Sequence, residues 1–157
     1  MEYHCVKSID LFVKNWGTKH TMIPIDKHDI EALETELTVF LPDSYKYLIS
    51  TYGLVHTPNV LTKIVDLNAE ISDVQDFLSL DDVSSLSKLY EMSGMPKGHV
   101  LFASDCKGNM FCFKLTECDN KQVDVPVWFY NHGLCTVTKV SDTFTQWLAQ
   151  FNELEES

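Results

Sequence analysis

His99-Val100-Leu101-Phe102-Ala103 and Asn109-Met110-Phe111-Cys112-Phe113-Lys114-Leu115, joined by Asp105-Cys106-Lys107-Gly108, decide the fold class. Both runs have the length and the β-branched and aromatic content of strands, and the Asp/Gly-containing connection is short enough for a hairpin. In the second run Phe111, Phe113 and Leu115 fall on one face and Met110, Cys112 and Lys114 on the other, so only one face need be deeply buried. A third strand follows over about Val125 to Tyr130 and a shorter fourth over Leu134 to Thr138, with Asn131-His132-Gly133 as the turn between them. Short connections between successive strands predict an antiparallel meander.

Outward from the sheet, the chain reads as helices. On the C-terminal side Ser141 is placed as an N-cap and Asp142 in the first turn, with Phe144, Trp147, Leu148 and Phe151 on one face packing on the sheet. Glu153, Glu155 and Glu156 form a short acidic tail expected to fray. On the N-terminal side Cys5, Ile9, Phe12 and Trp16 recur at helical spacing over 4–16, with Gly17 as the stop. Ile30, Leu33 and Leu37 mark a second helix from Lys27 to Val39 that turns an acidic flank to solvent. Leu41-Pro42-Asp43-Ser44 opens a third, with Tyr45, Leu48, Ile49 and Tyr52 inward and Gly53 as a left-handed cap. The β-branched content from Val60 to Leu67 predicts a strand, and Val83, Leu86 and Leu89 a helix over Asp81 to Met92 ended by Gly94. Helices first, an antiparallel sheet later and a closing helix give a single α+β domain over residues 1–157.

At 157 residues, 45% hydrophobic and 22% charged, the chain has the composition of an ordinary globular domain. Its 23 Asp and Glu against 12 Lys and Arg leave a formal net charge of -11. Phosphate backbones and anionic lipid need a basic stripe, so neither nucleic acid nor membrane is expected as a partner; a basic protein is favoured, with solubility alone as the competing explanation. Met1-Glu2-Tyr3-His4-Cys5-Val6-Lys7 lacks the apolar core of an export signal, and no run of about 20 apolar residues occurs, so a cytoplasmic protein is expected.

The residues that carry chemistry do not assemble into a known motif. Cys5, Cys106, Cys112, Cys118 and Cys135 are an odd set that suits reduced thiols. The six-residue spacing of Cys106, Cys112 and Cys118 lacks the close pairs of structural zinc sites. His132 with Cys135 brings an imidazole and a thiol into one turn, where a hairpin explains both; Asp105, Gly108 and Asn109 lack the further carboxylates of a calcium loop. No catalytic, cofactor or metal residue is assigned. The informative polar feature is the stretch holding Asp66, Glu70, Asp73, Asp76, Asp81 and Asp82. These six are candidate partner-binding residues, with a solvated face as the bland reading. Val74, Phe77, Leu78 and Leu80 lie among them, either as an interface centre inside a charged rim or as core.

Three segments together resemble the SUKH superfamily, which takes in a yeast cell-wall-assembly regulator and many bacterial immunity proteins. They are Ile30-Glu31-Ala32-Leu33-Glu34 with Leu41-Pro42-Asp43-Ser44-Tyr45-Lys46-Tyr47-Leu48 and Tyr52-Gly53; Val100 to Asn109; and Val127-Trp128-Phe129-Tyr130-Asn131-His132 with Ser141 to Leu148. The resemblance spans about Ile30 to Phe151. It implies a non-enzymatic immunity protein that neutralises a cognate polymorphic or contact-dependent toxin, frequently a nuclease, by direct contact. A regulatory or interaction module of the same fold is the alternative, and an unrecognised small-molecule binder or enzyme the outside one.

Overall fold

The computed structural model describes residues 2–18, 22–116 and 120–155. Helix α1 (Tyr3–Trp16) turns Cys5, Ile9, Phe12, Val13 and Trp16 inward, and the Trp16 indole N–H donates to the Phe151 carbonyl at 3.1 Å. Gly17 ends it in extended backbone, φ -71°, where a Cβ would lie 2.8 Å from the Val13 carbonyl oxygen. Close approach, not a left-handed cap, requires glycine there. Helix α2 (Lys27–Leu37) is capped by Asp26, whose carboxylate accepts the His28 N–H at 2.7 Å. Helix α3 (Asp43–Thr51) starts after Pro42 and stops before Gly53, which has φ +108° and no room for a Cβ against the Ile23 backbone.

Residues 59–67 are a helix, α4 (Asn59–Leu67), and not the strand expected over Val60 to Leu67. Val60 and Ile64, one turn apart, are its buried residues, and Asn68 closes it in the left-handed region. β-branching is only a weak local preference, and burial at i, i+4 overrides it. Strand β1 (Asp76–Phe77) and helix α5 (Leu80–Met92) follow. The α5 cap is Ser79, whose hydroxyl accepts the Asp82 N–H at 3.2 Å. Its buried residues are Val83, Ser84 and Ser87, whereas Leu89 is 53% exposed. Ser84 donates to Glu36 Oε1 at 2.7 Å, and Ser87 is inward because β1 covers only part of the β2 edge: its Oγ accepts the Leu101 N–H at 2.9 Å farther along.

Strands β2 (His99–Ser104), β3 (Met110–Lys114), β4 (Val127–Asn131) and β5 (Thr136–Ser141) complete a five-stranded antiparallel sheet in chain order, β1-β2-β3-β4-β5. Both faces of β2 and β3 are buried, contrary to the one-sided expectation, because α5 also packs against the sheet, with the Tyr90 and Tyr130 rings 5.7 Å apart. The last turn is His132 to Cys135: Leu134 is 72% exposed and Cys135 sits at φ +53°, so the final strand starts later than Leu134. Asn131 Oδ1 holds this turn by accepting the Gly133 and Leu134 N–H groups at 3.0 and 3.1 Å.

Helix α6 (Phe144–Glu155) closes the chain and includes Glu153, so the expected frayed tail is helical as far as Glu155; Glu156 lies outside the described residues. Its capping hydroxyl is not that of Ser141, which ends β5, but Thr143 Oγ1, which accepts the Gln146 N–H at 3.1 Å. Asp142 precedes the helix and pairs with Lys139 at 2.9 Å. Asp124 supplies the rest of the cap. Its carboxylate accepts from the Phe144 and Thr145 N–H groups at 2.8 and 3.3 Å, from Val125 N–H at 3.1 Å and from the Ser44 hydroxyl at 2.9 Å. One side chain thus ties the starts of α3 and α6 to the approach to β4. Trp147 sits among Phe77, Phe102, Phe111, Phe144 and Phe151, with ring centroids 4.7 to 6.1 Å away.

Candidate partner-binding surface

The fold divides the six predicted acids. Asp66 stands exposed near the end of α4, Glu70 is exposed just beyond it, and Asp81 and Asp82 are exposed in the first turn of α5, where the helix dipole favours their charge. Among the described residues none of these four forms a salt bridge with Lys or His. Asp73 and Asp76 are engaged inside the molecule. Asp73 is buried, and its Oδ2 accepts the Cys106 N–H at 3.1 Å, holding the β2–β3 turn. Asp76, in β1, pairs with His56 Nδ1 across an isolated bridge.

The apolar residues expected among those acids are core. Val74, Phe77 and Leu78 are buried and Leu80 is half-buried. Exposed apolar side chains come instead from α4, the helix that carries Asp66, where Leu61, Val65 and Leu67 are 38%, 68% and 39% exposed. Helix α4 is therefore apolar both toward the core and toward solvent. The strand expectation hid this, because alternation would have sent these side chains to different faces.

A second concavity, of about 830 Å³, runs between α2 and α3 and was not apparent from the sequence, since Lys121 joins it from a distant loop. Its walls carry Lys27, Lys46 and Lys121 against Glu31, Glu34 and Asp43. Glu34 is tied down: its Oε2 accepts the Leu41 N–H at 2.7 Å and lies 3.4 Å from Lys46 Nζ. Lys121 sits 5.6 Å from the Phe40 ring centroid. The Tyr47 and Tyr52 hydroxyls both donate to Asp10 Oδ1, at 2.8 and 2.6 Å. Burial and then that carboxylate hold the Tyr47 phenol above its ordinary range. The groove's charges are internally matched, unlike the acids around α4 and α5.

The residues of the His132–Cys135 and Asp105–Asn109 turns are occupied structurally. Cys135 Sγ is directed at the His132 carbonyl at 3.7 Å, while His132 Nε2 donates to the Lys107 carbonyl at 3.2 Å, so the pair has no nucleophile–base geometry. Burial pushes the Cys112 thiol up to about 12, and burial with the Asp73 carboxylate raises Cys106. Both therefore favour the less nucleophilic protonated form. Cys118 lies outside the described residues. Asp105 Oδ1 accepts the Lys107 and Asn109 N–H groups, both at 2.8 Å, and Oδ2 accepts the Asn109 amide at 3.1 Å, so a tight turn consumes the residues that resembled a calcium loop.

A family model described as the SMI1 / KNR4 family (SUKH-1) matches residues 24–150. The chain belongs to this family. The SUKH-1 match takes in α2 through α5, the whole sheet and most of α6, and leaves α1 outside it. Leu41-Pro42-Asp43 and Gly53, on which the SUKH likeness rested, bound α3; Asp105 and Gly108 make the β2–β3 turn. No curated protein matches the chain individually. Among the described residues no helix is long and apolar enough to cross a membrane.

Proposed function

We propose that this SUKH-1 protein is a cytoplasmic immunity protein, which binds a cognate polymorphic or contact-dependent toxin and neutralises it by contact rather than by catalysis. The observation that carries this reading is the combination on α4 and α5. Among the described residues Asp66, Glu70, Asp81 and Asp82 are exposed and form no salt bridge, and Leu61, Val65 and Leu67 are exposed on α4, the helix that carries Asp66. Apolar side chains fringed by unpaired charge of one sign suit a protein partner of opposite charge, because the apolar centre supplies desolvation energy and the rim steers encounter. A net charge of -11 adds a long-range field in the same direction. Nuclease toxins tend to have basic clefts for nucleic acid, so an acidic inhibitor of such a toxin gains both steering and occlusion. The structural engagement of Cys135, His132 and Asp105 is consistent with a binding role.

Co-expression with the toxin-domain product of the adjacent gene tests the reading. The expected result is co-purification at equal stoichiometry and protection of cells from that toxin. Cells killed equally with and without the chain would leave it as a regulatory module of the same fold.

A further inference from the structure

We propose that the start of α1 holds a borderline divalent cation of the zinc class, bound by Cys5 Sγ and His4 Nε2 with the Glu2 carboxylate behind the imidazole. The three side chains come together within 4.8 Å. Cys5 Sγ and His4 Nε2 are 3.7 Å apart. With Zn–S near 2.3 Å and Zn–N near 2.05 Å, two ligands at a tetrahedral angle are separated by about 3.6 Å, so one ion fits between these atoms with almost no movement. On the other side of the ring, Glu2 Oε2 lies 3.3 Å from His4 Nδ1. A carboxylate there accepts a hydrogen bond from Nδ1–H, the tautomer that leaves the Nε2 lone pair facing the thiol, as carboxylate–histidine–metal arrangements require.

The remaining coordination space opens on a cavity. Glu2, His4 and Cys5 line a cavity of about 750 Å³ together with Thr143, Thr145 and Gln146. Thr145 is only 5% exposed, and its hydroxyl has no hydrogen-bond partner among the described residues. A thiol–imidazole hydrogen bond alone would explain the short Cys5–His4 contact but not the carboxylate behind the ring. The donor set, one sulfur and one imidazole nitrogen, selects against magnesium and calcium. Cys5 loses its proton on binding, so affinity falls as pH falls. The site lies outside residues 24–150 and is a feature of this chain's own N-terminal helix.

Cobalt(II) is the probe, added to the reduced, chelator-treated full chain. The expected result is one equivalent bound, with thiolate-to-cobalt charge-transfer absorption and the intense visible bands of tetrahedral cobalt, displaced by one equivalent of zinc. Cys5→Ser and His4→Ala should abolish the charge-transfer band. Glu2→Gln should weaken binding by about 10- to 100-fold. A Cys106→Ser/Cys118→Ser/Cys135→Ser variant should bind like wild type. His4 is solvent-exposed, so His4→Ala reports on binding without endangering the fold. Absence of the band in wild type, its survival in Cys5→Ser or His4→Ala, or its loss in the triple variant would each overturn the assignment.

Discussion

Replacing Asp124 with Ala removes a carboxylate that no element contains and three segments use. The Phe144 and Thr145 N–H groups, 2.8 and 3.3 Å from it, lose their cap, a change that costs about 0.5–2 kcal/mol when a capping side chain is deleted. Ser44 is fully buried, and its hydroxyl loses an acceptor at 2.9 Å, which adds about 1–3 kcal/mol for a stranded polar group. The two together give about 1.5–5 kcal/mol, a large part of the roughly 5–15 kcal/mol expected of a domain. At a urea slope of about 2 kcal/mol/M the midpoint should fall by about 0.75–2.5 M with the slope unchanged. Asp124→Asn, which keeps one acceptor oxygen, should fall between. A double-mutant cycle with Ser44→Ala should return a coupling of about 1 kcal/mol or more, since the two groups are in direct contact. Asp124→Ala melting within about 0.5 kcal/mol of wild type, or a coupling near zero, would refute the claim that this side chain joins α3 to α6.

Trp147→Ala should cost about 3–5 kcal/mol in urea melts, because it empties a site packed by five other rings, whereas Leu134→Ala on the exposed turn should stay within about 0.5 kcal/mol. Cys106→Ser and Cys135→Ser should leave neutralisation of the partner unchanged in a protection assay, while Cys112→Ser should lower stability through loss of a buried apolar site. Glu36 is held below its ordinary value of 4.5 first by the Ser84 hydroxyl and then by Lys88. Its contribution is present above that value and lost as pH falls through the depressed one. The stability gap between wild type and Glu36→Gln, followed by melts against pH, should therefore be open at neutral pH and close below about 4.5.

Most of the fold was legible where one local signal agreed with the packing. The apolar, aromatic run between turn residues marked β3, the three-to-four spacing of Ile9, Phe12 and Trp16 marked α1, and Gly53 marked the end of α3. Helix α4 was misread because Val60, Ile64 and Val65 carry β propensity and because its outward face is also apolar, which erases the amphipathic contrast of a surface helix. Two-residue β1 is too short for any periodicity. The buried Ser87 of α5 follows from the open edge of β2, and the Asp124 cap from a contact 20 residues away, so neither leaves a local trace. At the candidate surface the acidic stretch was visible, but charge counting could not separate the exposed Asp66, Glu70, Asp81 and Asp82 from Asp73, whose carboxylate closes a turn. Glu2, His4 and Cys5 are nearly consecutive, and the Glu-x-His-Cys run was the available signal for their cluster.

The central claim is that the outward acids of α4 and α5 steer a basic toxin onto this chain. Stopped-flow association with the cognate toxin domain proposed above, across a salt series, tests it most directly, comparing wild type with the Asp66→Lys/Glu70→Lys/Asp81→Lys/Asp82→Lys variant. The account predicts an association rate reduced about tenfold or more at low salt, a difference that shrinks as the Debye length falls to about 8 Å at physiological ionic strength, and a dissociation rate that changes far less. Equal association rates for the two proteins at every salt concentration would contradict it.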